Sequence, residues 1–378
     1  MPIALVLTLS TALFVASKGN RVLVTLAAVD AGANGLELGL ILAMTGLFPL
    51  LLAVRAGRVA DRFSNQLLVY TGIIGYSVSV ALPYFWPGLT VFYISSALSG
   101  FTSMLFVLAF QNLMGVLSTP QTRTRYFSWY ALGESFGHGL GPILTGLCID
   151  HYGTAPAFLI VAVFSLAWLP AALMFRKHFP VVKPSGTKAQ IEGRSSRELL
   201  ALPAMRMALI TNGVIMIGFD LFNLYMPVYG KSLNFSATTI GIIVGAYGVA
   251  AFATRVLLPY ANARMGETRI LKWALAVPAV AFALVPLTGN VWLLCTLAFI
   301  IGFGIGCGQP LSMLLAFNAA PPGRSAEAVA MRLAVSYGSH VFLPPLFGVF
   351  AASLGLAPVF WICAVCLGGG AMLHRGKS

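Results

Sequence analysis

Charged residues are scarce in this sequence. Asp, Glu, Lys and Arg make up only 9% of the 378 residues, and 58% are apolar, whereas a soluble globular domain carries about 25% charged residues. This shortage excludes an ordinary soluble domain and predicts a chain embedded in a lipid bilayer. A spanning helix needs about 20 apolar residues, so twelve closely connected spans fit and leave no room for a separate soluble domain.

Residues suited to metal or catalytic chemistry are also few. Cys363 and Cys366 are spaced like half of a zinc site, but no second pair completes the four ligands. The glycines between Gly302 and Gly308 lie within an apolar run and lack the Lys-Ser/Thr pair that follows in a phosphate-binding loop. We therefore expect no cofactor and no metal, and the sequence gives no support to a membrane enzyme.

Acidic residues are outnumbered, since 10 Asp and Glu stand against 23 Lys and Arg and give a net charge of +13. A nucleic-acid partner would suit that charge, but the distribution argues against it. Nineteen of the 23 basic residues, Arg255 among them, fall on one face of the predicted membrane domain, and the opposite loops hold only Lys231. Because Lys and Arg concentrate in cytoplasmic loops, we expect a multi-pass protein of the plasma membrane (the inner membrane in bacteria) with both termini in the cytoplasm.

Twelve apolar runs predict twelve transmembrane helices. The first six spans are Pro2–Leu26, Leu36–Val54, Leu67–Phe85, Leu89–Leu117, Tyr126–Ile149 and Ala155–Phe175. The second six are Met207–Tyr229, Thr238–Leu258, Ile270–Leu287, Val291–Ala316, Ala326–Leu354 and Ala357–Leu373. The polar segment 176–206 is predicted to be a flexible cytoplasmic linker. It divides the chain into an N-terminal bundle, 1–175, and a C-terminal bundle, 207–378.

The two sets of six spans repeat each other at a constant offset of 202 residues. The offset keeps glycine, proline, arginine and histidine positions in register, which apolar composition alone does not explain. The pairs that share it are Gly39 and Gly241, Arg62 and Arg264, His138 and His340, and Pro142 and Pro344. We infer a duplicated six-helix unit joined by the linker. Parallel six-plus-six repeats resemble those of major facilitator transporters, and this resemblance implies a substrate site near the membrane midplane between the two copies.

A short charged segment, Gly57–Phe63, follows the second predicted span, and we predict a tight cytoplasmic loop there. Its Gly-x-x-x-Asp-Arg pattern resembles the signature loop of the major facilitator superfamily, whose members are all-α transporters with two six-helix bundles. The resemblance implies that Asp61 contacts Arg324 or Arg332 across the bundle boundary and latches the cytoplasmic entrance. The alternative is a simple turn. The expected gating residues of this loop and its partner are Gly57, Asp61, Arg62 and Arg332.

Span five carries glycines at a spacing of four residues: Gly133, Gly137 and Gly141, followed by Pro142. Small residues at this spacing let another helix approach closely, so a packing seam explains them fully. The pattern Gly-x-x-x-Gly-Pro also resembles the span-five motif of exporters in the same superfamily. That resemblance implies a conformational role for Gly137, Gly141 and Pro142.

Ionisable residues inside membrane spans are costly and usually face a cavity or a partner. Lys18 and Arg21 lie three residues apart on one face of span one, and their repeat mates in span seven are Asp220 and Asn223. Because equivalent helices face each other across the pseudo-twofold axis, we predict an ion pair between Lys18 and Asp220.

Glu134 and His138 lie on one face of span five, beside the glycine stripe. A carboxylate and a histidine in a cavity of low dielectric are suited to binding and releasing a proton. The alternative is that each polar group is structural and is satisfied by a neighbour. The predicted substrate and proton-coupling residues are Lys18, Arg21, Glu134, His138, Asp220, Asn223, Gln309 and His340.

Within the superfamily, the sequence resembles the bacterial drug and metabolite efflux branch, of the arabinose-efflux-permease type. The resemblance implies a monomer that exports a small organic molecule by alternating access, driven by protons. Two alternatives stay open. Symport uptake of an organic anion would suit the cationic residues within the spans, and a non-transporting membrane sensor could use the same fold.

Overall fold

The computed structural model describes residues 2–62, 64–119, 122–174, 196–321 and 324–374. Within these ranges, it describes the side chains except at 2, 53–62, 123–124, 196–197, 259, 262–263, 325–326 and 329–330. The first half consists of α1 (Pro2–Asp30), α2 (Gly35–Arg62), α3 (Asn65–Phe85), α4 (Leu89–Leu117), α5 (Arg123–Tyr152), α6 (Thr154–Leu166) and α7 (Leu169–Met174). The second half consists of α8 (Ser196–Ala201), α9 (Pro203–Ser232), α10 (Ala237–Met265), α11 (Glu267–Leu284), α12 (Val291–Ala319), α13 (Ser325–Leu354) and α14 (Leu356–Leu373).

The structure confirms an all-α membrane fold. Eleven spans of the described chain are long and apolar enough to cross a bilayer, with α6 and α7 together forming one of them. The remaining long helix, α5, has 30 residues but is too polar to meet the same criterion. It carries Glu134 and His138, and it packs along α1 and α10. Because neighbouring helices cover α5, it needs less apolar surface than a helix that faces lipid.

Two predicted boundaries are wrong. The segment predicted as a loop from Gly57 is instead helical, because α2 continues to Arg62. No proline interrupts this stretch, and the next start signal is Ser64, whose Oγ accepts a hydrogen bond from the Leu67 N–H at 3.2 Å and caps α3. The final part of the predicted linker, 196–206, is also helical. It forms α8 and the start of α9, where Pro203 occupies a first-turn position that favours proline.

The 202-residue offset recurs in contacts between the two halves. At Gly35 and Gly348 the backbones of α2 and α13 are so close that a Cβ on either glycine would overlap the backbone of the other helix. The repeat mates Ala237 and Gly146 make the equivalent contact between α10 and α5. Helices α2 and α5 therefore form the main described contact surface of the first half with α13 and α10 of the second half.

The two ends of the helical bundle differ in their polar contacts. At one end, which we call the Asp30 end, Lys231 Nζ lies 2.6 Å from Asp30 Oδ1. There Asp150 also accepts hydrogen bonds from the backbone N–H groups of Ala237 and Thr238, at 3.0 and 2.8 Å. At the opposite end, the Arg324 end, the Arg324 guanidinium pairs with Glu198, at 2.9 Å between Nη1 and Oε2. Both of these contacts at the Asp30 end join the two halves.

Candidate functional site

A polar cavity of about 260 Å³ lies between helices α1 to α5 and α13. Its walls combine charged, amide, hydroxyl and aromatic side chains, as in a site that orients a small organic ligand. The charged and titratable wall residues are Lys18, Arg21, Glu134 and His340. The other polar wall residues include Ser17, Asn20, Thr45, Ser99, Ser103 and Gln111, and the aromatic ones are Phe14, Tyr76, Phe106, Tyr130 and Tyr337.

Glu134 is the more accessible of the two acids near the cavity, with 35% of its side chain exposed. Its Oε1 atom lies 3.5 Å from Lys18 Nζ of α1, and its Oε2 atom lies 3.7 Å from Arg255 Nη2 of α10. Arg255 also donates a hydrogen bond to the backbone carbonyl of Ala131. The carboxylate thus lies between one cation of the first half and one cation of the second half.

Asp220 is almost completely buried, with only 1% of its side chain exposed. Arg21 Nη2 of α1 donates a hydrogen bond to its Oδ1 atom at 3.1 Å, and His340 Nδ1 of α13 lies 2.6 Å from the same oxygen. The Arg21 guanidinium also stands 5.9 Å from the ring centroid of Phe219. Asp220 therefore binds one base of its own half and one arginine of the other half.

The two acids share one arrangement although they are not repeat mates. Each contacts a basic side chain from its own half and an arginine from the opposite half. The predicted ion pair between Lys18 and Asp220 is wrong, because Lys18 pairs with Glu134 and Arg21 pairs with Asp220. Arg21 lies about one turn further along α1, so its guanidinium comes level with Asp220 while Lys18 faces α5.

Four predicted site residues do not line this cavity, and Asp220, described above, is one of them. His138 is buried and stands edge-on to the ring of Phe219, with 5.5 Å between the ring centroids. Asn223 Nδ2 donates a hydrogen bond to the backbone carbonyl of Phe219 at 2.7 Å, which is a contact within its own helix. Gln309 contributes its backbone carbonyl to a separate cluster around Arg332.

Arg332 is buried inside the second half among neutral groups. Its Nε atom donates to Ser312 Oγ and its Nη2 atom donates to the Gln309 carbonyl, each at 3.1 Å. Asn212 joins this cluster through Ser312 Oγ, at 3.2 Å from its Oδ1. Among the side chains that the structure describes, no carboxylate lies within 4 Å of Arg332. A gating contact is predicted for Asp61 and Arg62, but their side chains are not among those that the structure describes.

The glycine stripe of α5 packs against α1. A Cβ on Gly137 would lie 2.7 Å from Phe14 Cβ, and a Cβ on Gly141 would lie 2.8 Å from the backbone nitrogen of Gly19. Gly133 meets Thr11 of α1 in the same way. The next residue after the stripe, Pro142, instead approaches α10 at Gly241. Helix α5 therefore uses one face for packing within the first half and another for contact with the second half.

Arg255 is the main site residue that the sequence analysis missed. We assigned it to the basic membrane face, yet it lies inside the predicted span Thr238–Leu258, and the structure directs it to Glu134. Its position within that span was the signal that could have identified it. The aromatic wall residues Tyr130 and Tyr337 carried no such signal, because tyrosines are common throughout the predicted spans.

Comparisons with known proteins place these features in context. The sequence model of the Major Facilitator Superfamily matches residues 6–331 and 208–375. The chain is similar to the multidrug resistance protein MdtG of Salmonella arizonae, at 26% identity over 344 residues, which cover 86% of this chain and 81% of that protein. It is also similar to the efflux pump azaK of Aspergillus niger, at 27% identity over 386 residues, with coverage of 93% and 80%.

Solved transporters share the fold at low sequence identity. A crystal structure of the nucleoside transporter NupG matches with a TM-score of 0.75 and 15% identity, and the match covers 100% of both chains. A crystal structure of the peptide transporter POT in complex with sulfate matches with a TM-score of 0.78 and 15% identity, covering 99% of this chain and 93% of that one. These likenesses concern the arrangement of the helices.

Proposed function

Because the chain belongs to the major facilitator superfamily, it is a membrane transporter and not an enzyme, and we propose that it exports a small organic molecule by proton-coupled antiport. The names of two similar proteins, a multidrug resistance protein and an efflux pump, support export. We place the protein in the plasma membrane, or the inner membrane of a bacterium, as a monomer with both termini in the cytoplasm. The distribution of its basic residues supports that orientation.

The observation that carries the proposal is the pair of acids that bridge the two halves. Arg255 of the second half contacts Glu134 of the first, and Arg21 of the first half contacts Asp220 of the second. In alternating access, two bundles rock about a central site; here these would be 1–175 and 207–378, joined by a linker in 176–206. Rocking would change the distance between each acid and the arginine of the opposite half. Because that attraction exists only while the acid is ionised, the protonation of each acid would be coupled to the movement of the bundles.

Glu134 is the proposed proton carrier. It faces the cavity and is more exposed than Asp220, so protons and ligands reach it more readily. Addition of a proton removes the negative charge that attracts Arg255, which weakens the contact between α5 and α10. Asp220, held by Arg21 and His340, is the second candidate carrier. A charge inside a membrane protein is costly. The protonation of either acid therefore depends on how closely the surrounding conformation brings its cationic partners.

Arg332 supports the proposed cytoplasmic gate. A buried arginine with only neutral partners carries a large desolvation cost, and this cost falls when a carboxylate comes within reach. We propose that Asp61 supplies that carboxylate when the cavity opens towards the Asp30 end, with Gly57 and Arg62 beside it. The resulting ion pair would hold the Arg324 end closed.

A second function is favoured by the charge of the cavity. Three cations, Lys18, Arg21 and Arg255, surround the two acids Glu134 and Asp220, which leaves an excess of one positive charge when the histidines are neutral. Such a site attracts an organic anion. Protonation of Glu134 would free Lys18 and Arg255 for that anion, so the proton and the anion would bind together. Symport uptake is the corresponding transport mode.

Proton release on ligand binding separates these two functions. Detergent-solubilised protein in weak buffer is titrated with organic cations, neutral amphiphiles and carboxylates, alongside the Glu134→Gln and Asp220→Asn variants. Glu37→Gln is the control, because Glu37 caps α2 through the Asn34 N–H at 2.9 Å, away from the cavity. We expect proton release from the wild type and the control, and no release from Glu134→Gln.

Other outcomes assign different functions. Loss of release in Asp220→Asn alone would name Asp220 as the carrier. Proton uptake upon addition of a carboxylate, lost in Glu134→Gln, would replace antiport by anion symport. Binding with no proton exchange in any variant would rule out proton coupling at both acids.

A further inference from the structure

A second cavity lies on the outer surface of the second half. Helices α10, α11 and α12 enclose an apolar groove of about 470 Å³. Its inner end contains Thr254, whose Oγ1 donates to the carbonyls of Ala250 and Phe303 at 3.0 Å. This hydroxyl is therefore already satisfied within the protein. An apolar ligand at that end of the groove would therefore not leave the Thr254 hydroxyl without a hydrogen-bond partner.

Aromatic side chains line the groove although the repeat does not require them. Trp273 is 53% exposed, and Phe299 and Phe303 stack with 6.5 Å between their ring centroids. At the equivalent positions of the first half, Thr71 replaces Trp273 and Ala97 replaces Phe299. Phe303, by contrast, has an aromatic mate in Phe101. Trp273 and Phe299 therefore belong to only one copy of the duplicated unit, whereas a role in simple helix packing would apply equally to both copies.

Basic residues lie next in sequence to the residues that line the end of the groove near the turn between α10 and α11. Met265 and Ile270 line this end, and the neighbouring sequence positions hold exposed Arg264 and Arg269 and half-buried Lys272. In the part of the chain that the structure describes, none of these three cations has a carboxylate within 4 Å. The first half has Leu67 and Tyr70 where Arg269 and Lys272 stand.

We propose that this groove binds one anionic phospholipid. An acyl chain lies along Trp273, Phe299 and Phe303, and the phosphate of the headgroup contacts Arg269 and Lys272. Basic pockets beside membrane helices bind anionic headgroups, and each basic residue near the surface contributes a factor of about five in binding. The apolar lining and the unpaired cations at its end match the two parts of such a lipid.

The fluorescence of Trp273 tests this site directly in the full-length protein. In a variant that keeps Trp273 and carries Phe at the other five tryptophans, vesicles with brominated acyl chains quench the indole. Brominated phosphatidylglycerol is compared with brominated phosphatidylcholine at equal mole fraction. We expect the anionic lipid to be the stronger quencher, on the order of tenfold. The Arg269→Gln/Lys272→Gln change should bring the ratio close to one.

A matched control uses Trp361 as the single tryptophan. It lies on α14, is 45% exposed, and donates its indole N–H to the Ala283 carbonyl at 3.2 Å. We expect equal quenching by both lipids there. A ratio near one at Trp273, the same preference at Trp361, or a preference that survives the double substitution would overturn the proposal.

A second measurement does not depend on tryptophan replacement. Native mass spectrometry of the wild-type chain counts bound phosphatidylglycerol molecules, and the Arg269→Gln/Lys272→Gln variant should retain one fewer. Arg125→Gln is the control, since Arg125 is exposed over the ring of Trp129, at 4.4 Å, away from the groove. Equal retention by all three proteins would contradict the assignment.

Discussion

Asp220 and Asp30 each form an ion pair that crosses between the halves, but their surroundings differ. Asp220 is 1% exposed and pairs with Arg21, whereas Asp30 is 41% exposed and pairs with Lys231. Removal of one partner from a buried pair leaves an uncompensated charge and costs about 3–5 kcal/mol. An exposed pair contributes about 0–1 kcal/mol, because water screens it. Burial therefore decides which of the two contacts is costly to break.

Replacement of the two cations by methionine tests this difference. We expect Arg21→Met to lower the free energy of unfolding by about 3 kcal/mol or more, and Lys231→Met to change it by less than about 1 kcal/mol. Thermal unfolding in detergent measures both. Asp220→Asn in the Arg21→Met background should restore part of the loss, since the buried charge that then has only His340 as a partner is gone. Equal losses in the two single variants would contradict the proposed effect of burial.

At the scale of single residues, the sequence identified the acids but only part of their pairing. Glu134 and Asp220 could be predicted because a carboxylate within an apolar span is rare and costly. The offset of 202 residues related Lys18 to Asp220, but an offset relates backbone positions and not side-chain directions. The actual partner depends on which side chain extends along α1, and Arg21 lies closer to Asp220. Arg255 was missed because we counted its charge as a signal of topology.

At the scale of helices, hydrophobic length predicted most spans, but boundaries depended on local signals. Helix α2 continues through Arg62 because nothing before Ser64 ends it, and charged residues at a membrane surface do not require a loop. Helix α5 was predicted as one of the twelve apolar runs, Tyr126–Ile149, although it is the most polar of them. Its low hydropathy reflects contacts with α1 and α10, which composition alone does not reveal.

Helix α10 begins with a cap that comes from another helix. Asp150, at the end of α5, accepts hydrogen bonds from the N–H groups of Ala237 and Thr238. Partial burial raises the pKa of Asp150, but these hydrogen bonds outweigh it, so the pKa lies below its ordinary value. The carboxylate also interacts favourably with the positive end of the α10 dipole. This contact joins α5 to α10 where the two halves meet.

The depressed pKa of Asp150 gives its contribution to stability a defined pH dependence. The ionised cap stabilises the fold above the pKa of the unfolded chain, and the contribution disappears as the pH falls through the folded pKa, below about pH 4. We expect Asp150→Ala to lower the free energy of unfolding by about 1 kcal/mol at pH 7 and by progressively less below pH 4. Unfolding curves at a series of pH values measure the difference.

A neutral cap provides the control for that measurement. Asn290 caps α12, and its Oδ1 accepts from the N–H groups of Trp292 and Leu293 at 2.9 and 3.2 Å. An amide does not titrate in this range, so Asn290→Ala should cost the same at every pH. A constant difference for Asp150→Ala as well would show that the charge of Asp150 does not matter.

At the scale of the whole molecule, three of the described contacts between the halves lie at the Asp30 end. Gly35 meets Gly348, Asp30 pairs with Lys231, and Asp150 binds the start of α10. The cavity lies further towards the Arg324 end, where its walls include Gln111 and Tyr130. If the two halves rock as units, these contacts must separate in every transport cycle.

A covalent bridge at the Asp30 end therefore tests the whole scheme. The unpaired native cysteines are first replaced, and a short thiol-reactive linker then joins cysteines introduced by Asp30→Cys and Lys231→Cys. In proteoliposomes, transport of a compound that is active in the proton-release panel should stop.

Tyr229→Cys and Thr288→Cys provide the control, because the Tyr229 hydroxyl and the Thr288 carbonyl lie 3.0 Å apart within the second half. That bridge should leave transport intact, since rocking moves the second half as one body. Continued transport with Asp30→Cys and Lys231→Cys fully cross-linked would show that the Asp30 end does not open, and the movement that carries the substrate would then have to occur elsewhere.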